Sequence, residues 1–318
     1  MAKRLLILCC VLLLDLGGSQ AGERSLNQAL SLGEVLTLEI SNQAHLTYRK
    51  YAAKNAKGAI LYLHGISSHS GWYGQSCALL AKNGYSVYAP DRRGSGENRW
   101  DRGHLENYED LIADLDGFIG RIHAENGNLP VYLLGVSWGG KLAMLYESMK
   151  PGSVDGVILS TPGIKPRISL SPLAKNRVLY SARKRKEKQP EIKIPIKHSS
   201  MFTGDTAWQA WIEQDPLALR RCTGRFFWES RKMDKKLKKM IKQSEAPVLL
   251  LLAEHDDIVN NNKTDKFLTK KLVGRRGDPH RLEIILYEGA THTLDFEPNW
   301  KDVVRDILDW LNRVNPRR

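Results

Sequence analysis

Gly135-Val136-Ser137-Trp138-Gly139-Gly140 follows the apolar run Val131-Tyr132-Leu133-Leu134 and precedes the helix-like Lys141-Leu142-Ala143-Met144-Leu145-Tyr146. A buried strand, a Gly-x-Ser-x-Gly turn and a helix form the local frame in which a serine stands clear of a sheet. The glycines keep side chains out of the tight turn, which predicts strained backbone at Ser137 and places its hydroxyl at a helix N-terminus. Taken alone, the pattern also describes an ordinary glycine-rich strand-to-helix turn, so the rest of the chain decides its meaning.

Upstream, Val35 to Ile40 and His45 to Tyr51 read as an antiparallel edge hairpin turning at Ser41-Asn42-Gln43. Ala59 to Leu63, Ser86 to Ala89, Val157 to Leu159, Val248 to Leu252 and Leu282 to Leu286 read as further strands. Helical spacing is predicted over Tyr73 to Asn83, Tyr108 to His123, Lys263 to Leu272 and Glu297 to Leu311. Strands that alternate with helices imply right-handed crossovers and a mostly parallel central sheet flanked by helices, an α/β class.

The alternation stops at Thr161-Pro162-Gly163 and resumes at Ala246-Pro247, making residues 163–245 an insertion. It holds 21 Lys or Arg against 8 Asp or Glu, including Arg183-Lys184-Arg185-Lys186 and Lys235-Lys236 with Lys238-Lys239, so it carries the excess charge of a chain whose net is +13. Met233, Leu237, Met240 and Ile241 fall at helical spacing within Arg231 to Lys242. Such a helix suits an anionic membrane surface, or else packs its stripe on the body of the chain with the lysines solvated. Trp208, Trp211 and Ile212 form a second stripe and Phe226-Phe227-Trp228 a third cluster, either as cap core or as the wall of an acyl site. Without a recognisable binding fold, a basic run is weak support for nucleic acid, and no nucleic-acid partner is expected.

At the N-terminus, Lys3 and Arg4 precede an unbroken apolar run over residues 5–14, and Ser19-Gln20-Ala21 offers small residues for cleavage. This is the pattern of a signal peptide over 1–21 and predicts a secreted or periplasmic protein; an uncleaved anchor or a plain helix are the alternatives. Its removal leaves a formal charge of +12 and two cysteines, Cys77 and Cys222, too few for a disulfide scaffold. With 42% hydrophobic and 26% charged residues the chain has the composition of a globular protein, excluding disordered and fibrous classes. The expected organisation is therefore a main domain over 22–162 and 246–318 with a basic, mainly helical insertion over 163–245.

A serine hydroxyl needs an adjacent base held in the right tautomer by a carboxylate. Asp256, in Glu254-His255-Asp256-Asp257-Ile258-Val259, and His292, in Gly289-Ala290-Thr291-His292, each follow a predicted strand. The order Ser137, Asp256, His292 is that of one hydrolase fold and differs from the trypsin-like and subtilisin-like orders. Asp257 is the fallback acid. The N–H of Ile66, in His64-Gly65-Ile66, and the N–H of Trp138 are the expected oxyanion donors, with His64 bracing the loop.

Together with His69-Ser70-Gly71-Trp72-Tyr73 and Asp91-Arg92-Arg93-Gly94-Ser95-Gly96, these motifs resemble the monoacylglycerol lipase and lysophospholipase-like branch of the α/β-hydrolases, often labelled serine aminopeptidase-like. The resemblance runs from about residue 34 to 312 and includes, in the insertion that matches the family's lid, an Asp-Pro-Leu, Asp215-Pro216-Leu217. Ala253 stands where the family usually has glycine, and the lid is unusually basic. The resemblance implies the α/β-hydrolase fold, ester hydrolysis without metal or organic cofactor, and Asp256 as the acid. A lysophospholipid or monoacylglycerol is the favoured substrate. A small-molecule carboxylesterase, thioesterase or peptidase on the same triad, and a non-catalytic ligand-binding module, are the rivals.

Overall fold

A computed structural model describes residues 33–40, 44–181, 189–274 and 278–315. The predicted signal peptide, the Ser41–Gln43 turn and the Arg183–Lys186 run lie outside the described residues.

Eight strands form one sheet in the order β1 (Glu34–Ile40), β2 (Ala44–Tyr51), β4 (Tyr85–Pro90), β3 (Gly58–Leu63), β5 (Val131–Val136), β6 (Gly156–Ser160), β9 (Val248–Ala253), β10 (Leu282–Tyr287). β1 and β2, and β2 and β4, pair antiparallel, and every other neighbour is parallel. Every residue of β3, β4, β5, β6 and β9 is buried, as expected of strands covered on both faces. The covering helices are α1 (Gly74–Lys82), α2 (Tyr108–Asn126), α3 (Trp138–Met149), α4 (Pro172–Ser181), α5 (Thr206–Gln214), α6 (Gly224–Met240), α7 (Asn261–Leu268) and α8 (Trp300–Val314). Two apolar cores result, one joining the sheet to α2, α3 and α6, the other to α1, α5 and α8.

Between β6 and β9 lie α4, α5, α6 and a two-stranded antiparallel ribbon of β7 (Glu191–Lys193) and β8 (Arg221–Thr223). This segment divides its apolar residues between the two cores: Phe226, Met233, Leu237 and Ile241 join the first, and Phe202, Trp208 and Ile212 the second. Two sequence expectations are thereby refined. The basic helix begins at Gly224, well before Arg231, because the Thr223 side chain accepts from the Phe226 N–H and caps it. Met233, Leu237 and Ile241 of its apolar stripe are buried against the body and Met240 is half-buried, so the face that meets solvent is the charged one, with Arg231, Asp234, Lys235, Lys238 and Lys239. Cys77 and Cys222 are separate, buried free thiols.

Candidate active site

Ser137 connects β5 to α3 with φ 53° and ψ −118°, a left-handed conformation that costs a non-glycine residue on the order of 1–3 kcal/mol. The turn closes because its neighbours have no side chains: a Cβ at Gly135 would sit 2.5 Å from the Gly139 carbonyl oxygen, and one at Gly139 2.2 Å from that of Leu63. Backbone bonds then lock it. The Ser137 N–H donates to Ser160 O at 2.9 Å, and Ser137 O accepts from Gly140 at 3.0 Å and Gly163 at 2.6 Å.

Asp256 and His292 lie in the loops after β9 and β10. His292 Nδ1 is 2.8 Å from Asp256 Oδ2, and both side chains are buried. The other carboxylate oxygen accepts from the N–H groups of Ile258 at 2.8 Å and Val259 at 2.7 Å, which holds the acid in one rotamer. A carboxylate on Nδ1 makes that nitrogen the N–H donor and leaves the lone pair on Nε2. Nε2 is buried and has no hydrogen-bond partner among the described residues. The turn after β6 links histidine and serine: Thr161 Oγ1 donates to His292 O at 2.8 Å, and Gly163 N–H to Ser137 O. Asp257, the fallback, is exposed and carries no bond to the imidazole.

Ser137, Ile66 and Trp138 share the wall of a cavity of about 310 Å³. Apolar side chains from the segment between β6 and β9 supply much of the remainder, including Ile168, Leu170, Val178, Ile194 and Phe227. Trp138 N–H is the first amide of α3, one of the amides that has no acceptor within its own helix. Gly65 lies directly against Ser137, where a Cβ would come within 3.4 Å of the serine Cβ. His64 braces this loop as expected. Its Nε2 accepts from Arg92 N–H at 3.0 Å and its Nδ1 lies 2.8 Å from Gly65 O. Burial and the Arg92 charge lower its pKa to about 3.

Three features escaped the sequence reading. Lys141, one turn beyond Ser137, is buried at the cavity wall, 2.9 Å from Asp234 and 2.8 Å from Ser230 Oγ. A lysine directly ahead of the apolar run Leu142-Ala143-Met144-Leu145 was the available signal. Asp215 accepts from Trp72 Nε1 at 2.7 Å and lies 3.1 Å from His69 Nε2, tying the inserted segment to the loop after β3. The aromatic Trp72, Trp208 and Phe296 pack together beside that link, with Trp208 stacked on Phe296 at 4.0 Å. The inserted tryptophan Trp208 is thus core, whereas Phe226-Phe227 divides: Phe226 stacks on Trp138 at 5.4 Å and Phe227 faces the cavity.

The family model of serine aminopeptidase, S33, matches residues 54–299. A phospholipase of Bacillus subtilis, YtpA, is 24% identical over 264 residues that span 80% of this chain and 95% of that protein. A monoglyceride lipase homolog of monkeypox virus is 23% identical over 266 residues, 81% of this chain and 91% of its own. Among solved structures, the monoacylglycerol lipase of Paleococcus ferrophilus superposes with a TM-score of 0.73 at 25% identity, covering 85% of this chain and 99% of that one. With the eight-stranded sheet and the serine turn in place, the chain belongs to the serine aminopeptidase S33 family, in the monoacylglycerol lipase and lysophospholipase-like branch of the α/β-hydrolases.

Proposed function

We propose that this serine ester hydrolase cleaves the carboxylic ester of a single-chain lipid, of lysophospholipid or monoacylglycerol type, through an acyl-enzyme on Ser137. The observation that carries the reading is the position of Ser137 at the wall of the apolar cavity beside Ile66, with the turn after β6 bonded both to the serine and to the His292 of the buried His292–Asp256 pair. A volume of about 310 Å³ is at the small end of ligand pockets, which favours one acyl chain over two or three. The names of the phospholipase and monoacylglycerol lipase relatives point to the same substrate class.

His292 Nε2 takes the Ser137 proton as Oγ attacks the acyl carbon, and Asp256 stabilises the imidazolium. The N–H groups of Ile66 and Trp138 receive the oxyanion, worth roughly 3–4 kcal/mol per donor in such sites. Collapse expels the alcohol with the proton from His292. Water, activated by the same nitrogen, then releases the acid. Each step is ordinary acid–base chemistry among the chain's own residues.

The test is labelling with a fluorophosphonate probe and hydrolysis of a panel of esters varying in chain length and head group. Wild-type protein should label and prefer single-chain esters, and Ser137→Ala should lose both activities while keeping its fold. Retained turnover in that variant would end the reading.

A further inference from the structure

The Gly65–Ile66 peptide bears one of the two proposed oxyanion donors, and its carbonyl is held from behind. Gly65 O accepts from Arg92 Nη1 at 2.9 Å, while Arg92 Nη2 donates to Ile66 O at 2.9 Å. His64 adds a second bond to Gly65 O: its Nε2 accepts from the Arg92 N–H, so the proton of the neutral ring is on Nδ1, 2.8 Å from that oxygen. A trans peptide is planar with its C=O and N–H pointing in opposite directions, so anchoring Gly65 O on the guanidinium aims the Ile66 N–H away from it. The same guanidinium carbon lies over the Trp138 ring, 5.0 Å from its centroid, and over Phe226 at 5.5 Å. One side chain therefore touches both residues whose N–H groups are the proposed oxyanion donors.

The arrangement is costly for folding alone. Arg92 is buried, its Nε has no hydrogen-bond partner among the described residues, and burial lowers its pKa to about 10. Its sequence neighbour Arg93 is instead paired to Asp114 through two bonds of 2.6 and 2.5 Å. A buried cation satisfied by carbonyl oxygens polarises those peptides and strengthens their N–H groups as donors.

We propose that Arg92 is a positioning residue for the oxyanion hole: it fixes the Gly65–Ile66 peptide by hydrogen bonds and the Trp138 ring by its face, holding both donors aligned as charge develops. The inference rests on the ester-hydrolase reading with Ser137 as nucleophile. A residue that acts this way raises kcat and leaves substrate affinity alone, because the ground-state carbonyl gains little from the alignment.

The experiment compares wild type, Arg92→Gln and Arg92→Lys, each checked for fold by circular dichroism. It measures kcat and KM on a soluble p-nitrophenyl ester and the inhibition constant of a trifluoromethyl ketone. Binding of the non-hydrolysable ether analogue serves as the ground-state control. Ser137 Oγ adds to the ketone carbon, its proton passes to His292, and the ketone oxygen becomes the oxyanion. Arg92→Gln should lower kcat on the order of 10- to 100-fold, less than or equal to the loss from deleting a donor outright. KM and ether binding should hold, and the ketone inhibition constant should rise in step with the fall in kcat/KM. Arg92→Lys keeps the charge and should recover part of the loss; it also carries the test if the glutamine variant does not fold. A defect confined to KM, or a fall in kcat with unchanged ketone affinity, overturns the proposal. A wild type that neither labels nor hydrolyses esters would instead overturn the underlying hydrolase reading.

Discussion

Asp256 and Asp257 are adjacent in the chain but occupy different environments. The first is buried, bonded to His292 Nδ1 and to two backbone N–H groups, and the second points into solvent. Replacing Asp256 by Asn should reverse the preferred imidazole tautomer and lower kcat by about 10⁴-fold, as for a triad acid. Asp257→Asn should stay near wild type, and steady-state kinetics on a soluble ester separates the two; a reversed ranking would transfer the acid's role to Asp257. That choice came from the family resemblance, in which an aliphatic pair follows the acid after one residue; the structure adds that the N–H groups of this pair, Ile258 and Val259, hold the carboxylate. The role of Arg92 was not legible, since its partners are carbonyl oxygens and carbonyls leave no trace in side-chain identity. His64 yields a pH prediction. Its folded pKa of about 3 lies below the ordinary histidine value of 6.5, so below pH 6.5 the unfolded chain binds a proton that the folded chain refuses. Stability should therefore fall as pH drops from 6.5 towards 3, by up to roughly 1.4 kcal/mol per pH unit. Urea unfolding at pH 7, 6, 5 and 4 should show a shallower decline for His64→Gln than for wild type, and parallel slopes would remove His64 as the cause.

Helices and strands of the body were readable to within a few residues, because fully buried strands appear as unbroken apolar runs and α2 and α8 repeat their apolar positions every three or four residues. The segment between β6 and β9 was harder. Gly224 discourages a helix start in isolation, yet Thr223 caps it and Phe226 anchors it on Trp138. Nor did the spacing of Met233, Leu237 and Ile241 say which surface they meet; tertiary packing against α3 decides that. One buried tie from this segment to the body is Asp215, whose side chain meets Trp72 Nε1 and His69 Nε2 while also accepting from the Leu217 N–H of its own segment. Neighbouring His69 and these donors hold its carboxyl below the usual range. Asp215→Ala strands those donors in a buried place and should cost about 3 kcal/mol of unfolding free energy, measured in urea. A loss under about 1 kcal/mol, the size typical of an exposed pair, would mean that the link contributes little to holding the segment down.

Across the whole molecule, charge is distributed as unevenly as the apolar surface is evenly shared. Residues 163–245 hold 21 Lys or Arg against 8 Asp or Glu, while the remainder of the chain is close to neutral. Part of that charge is neutralised locally, by Lys232 with Glu229 and Arg221 with Glu191. The outward side of α6 keeps Lys235, Lys238 and Lys239 exposed and Lys236 half-buried. Since the apolar stripe of α6 is covered by the body, no insertion of that helix into a bilayer is expected, and any attraction must be electrostatic. An anionic surface attracts each well-placed Lys or Arg by about 1 kcal/mol, and salt screens that over about 8–10 Å. We propose that the lysine face brings the enzyme to anionic lipid and so raises the local supply of membrane-borne ester. The protein should co-sediment with vesicles containing phosphatidylserine, far less with pure phosphatidylcholine, and detach as salt rises. Replacing Lys235, Lys236, Lys238 and Lys239 by Gln should weaken sedimentation and hydrolysis of vesicle-borne ester several-fold, by loss of roughly 1 kcal/mol or more of attraction. Turnover of a short soluble ester should hold, because none of the four lysines borders the cavity that Ser137 faces. Equal binding to both vesicle types, or equal loss on both substrates, would leave these lysines as a solvated face with no part in lipid capture.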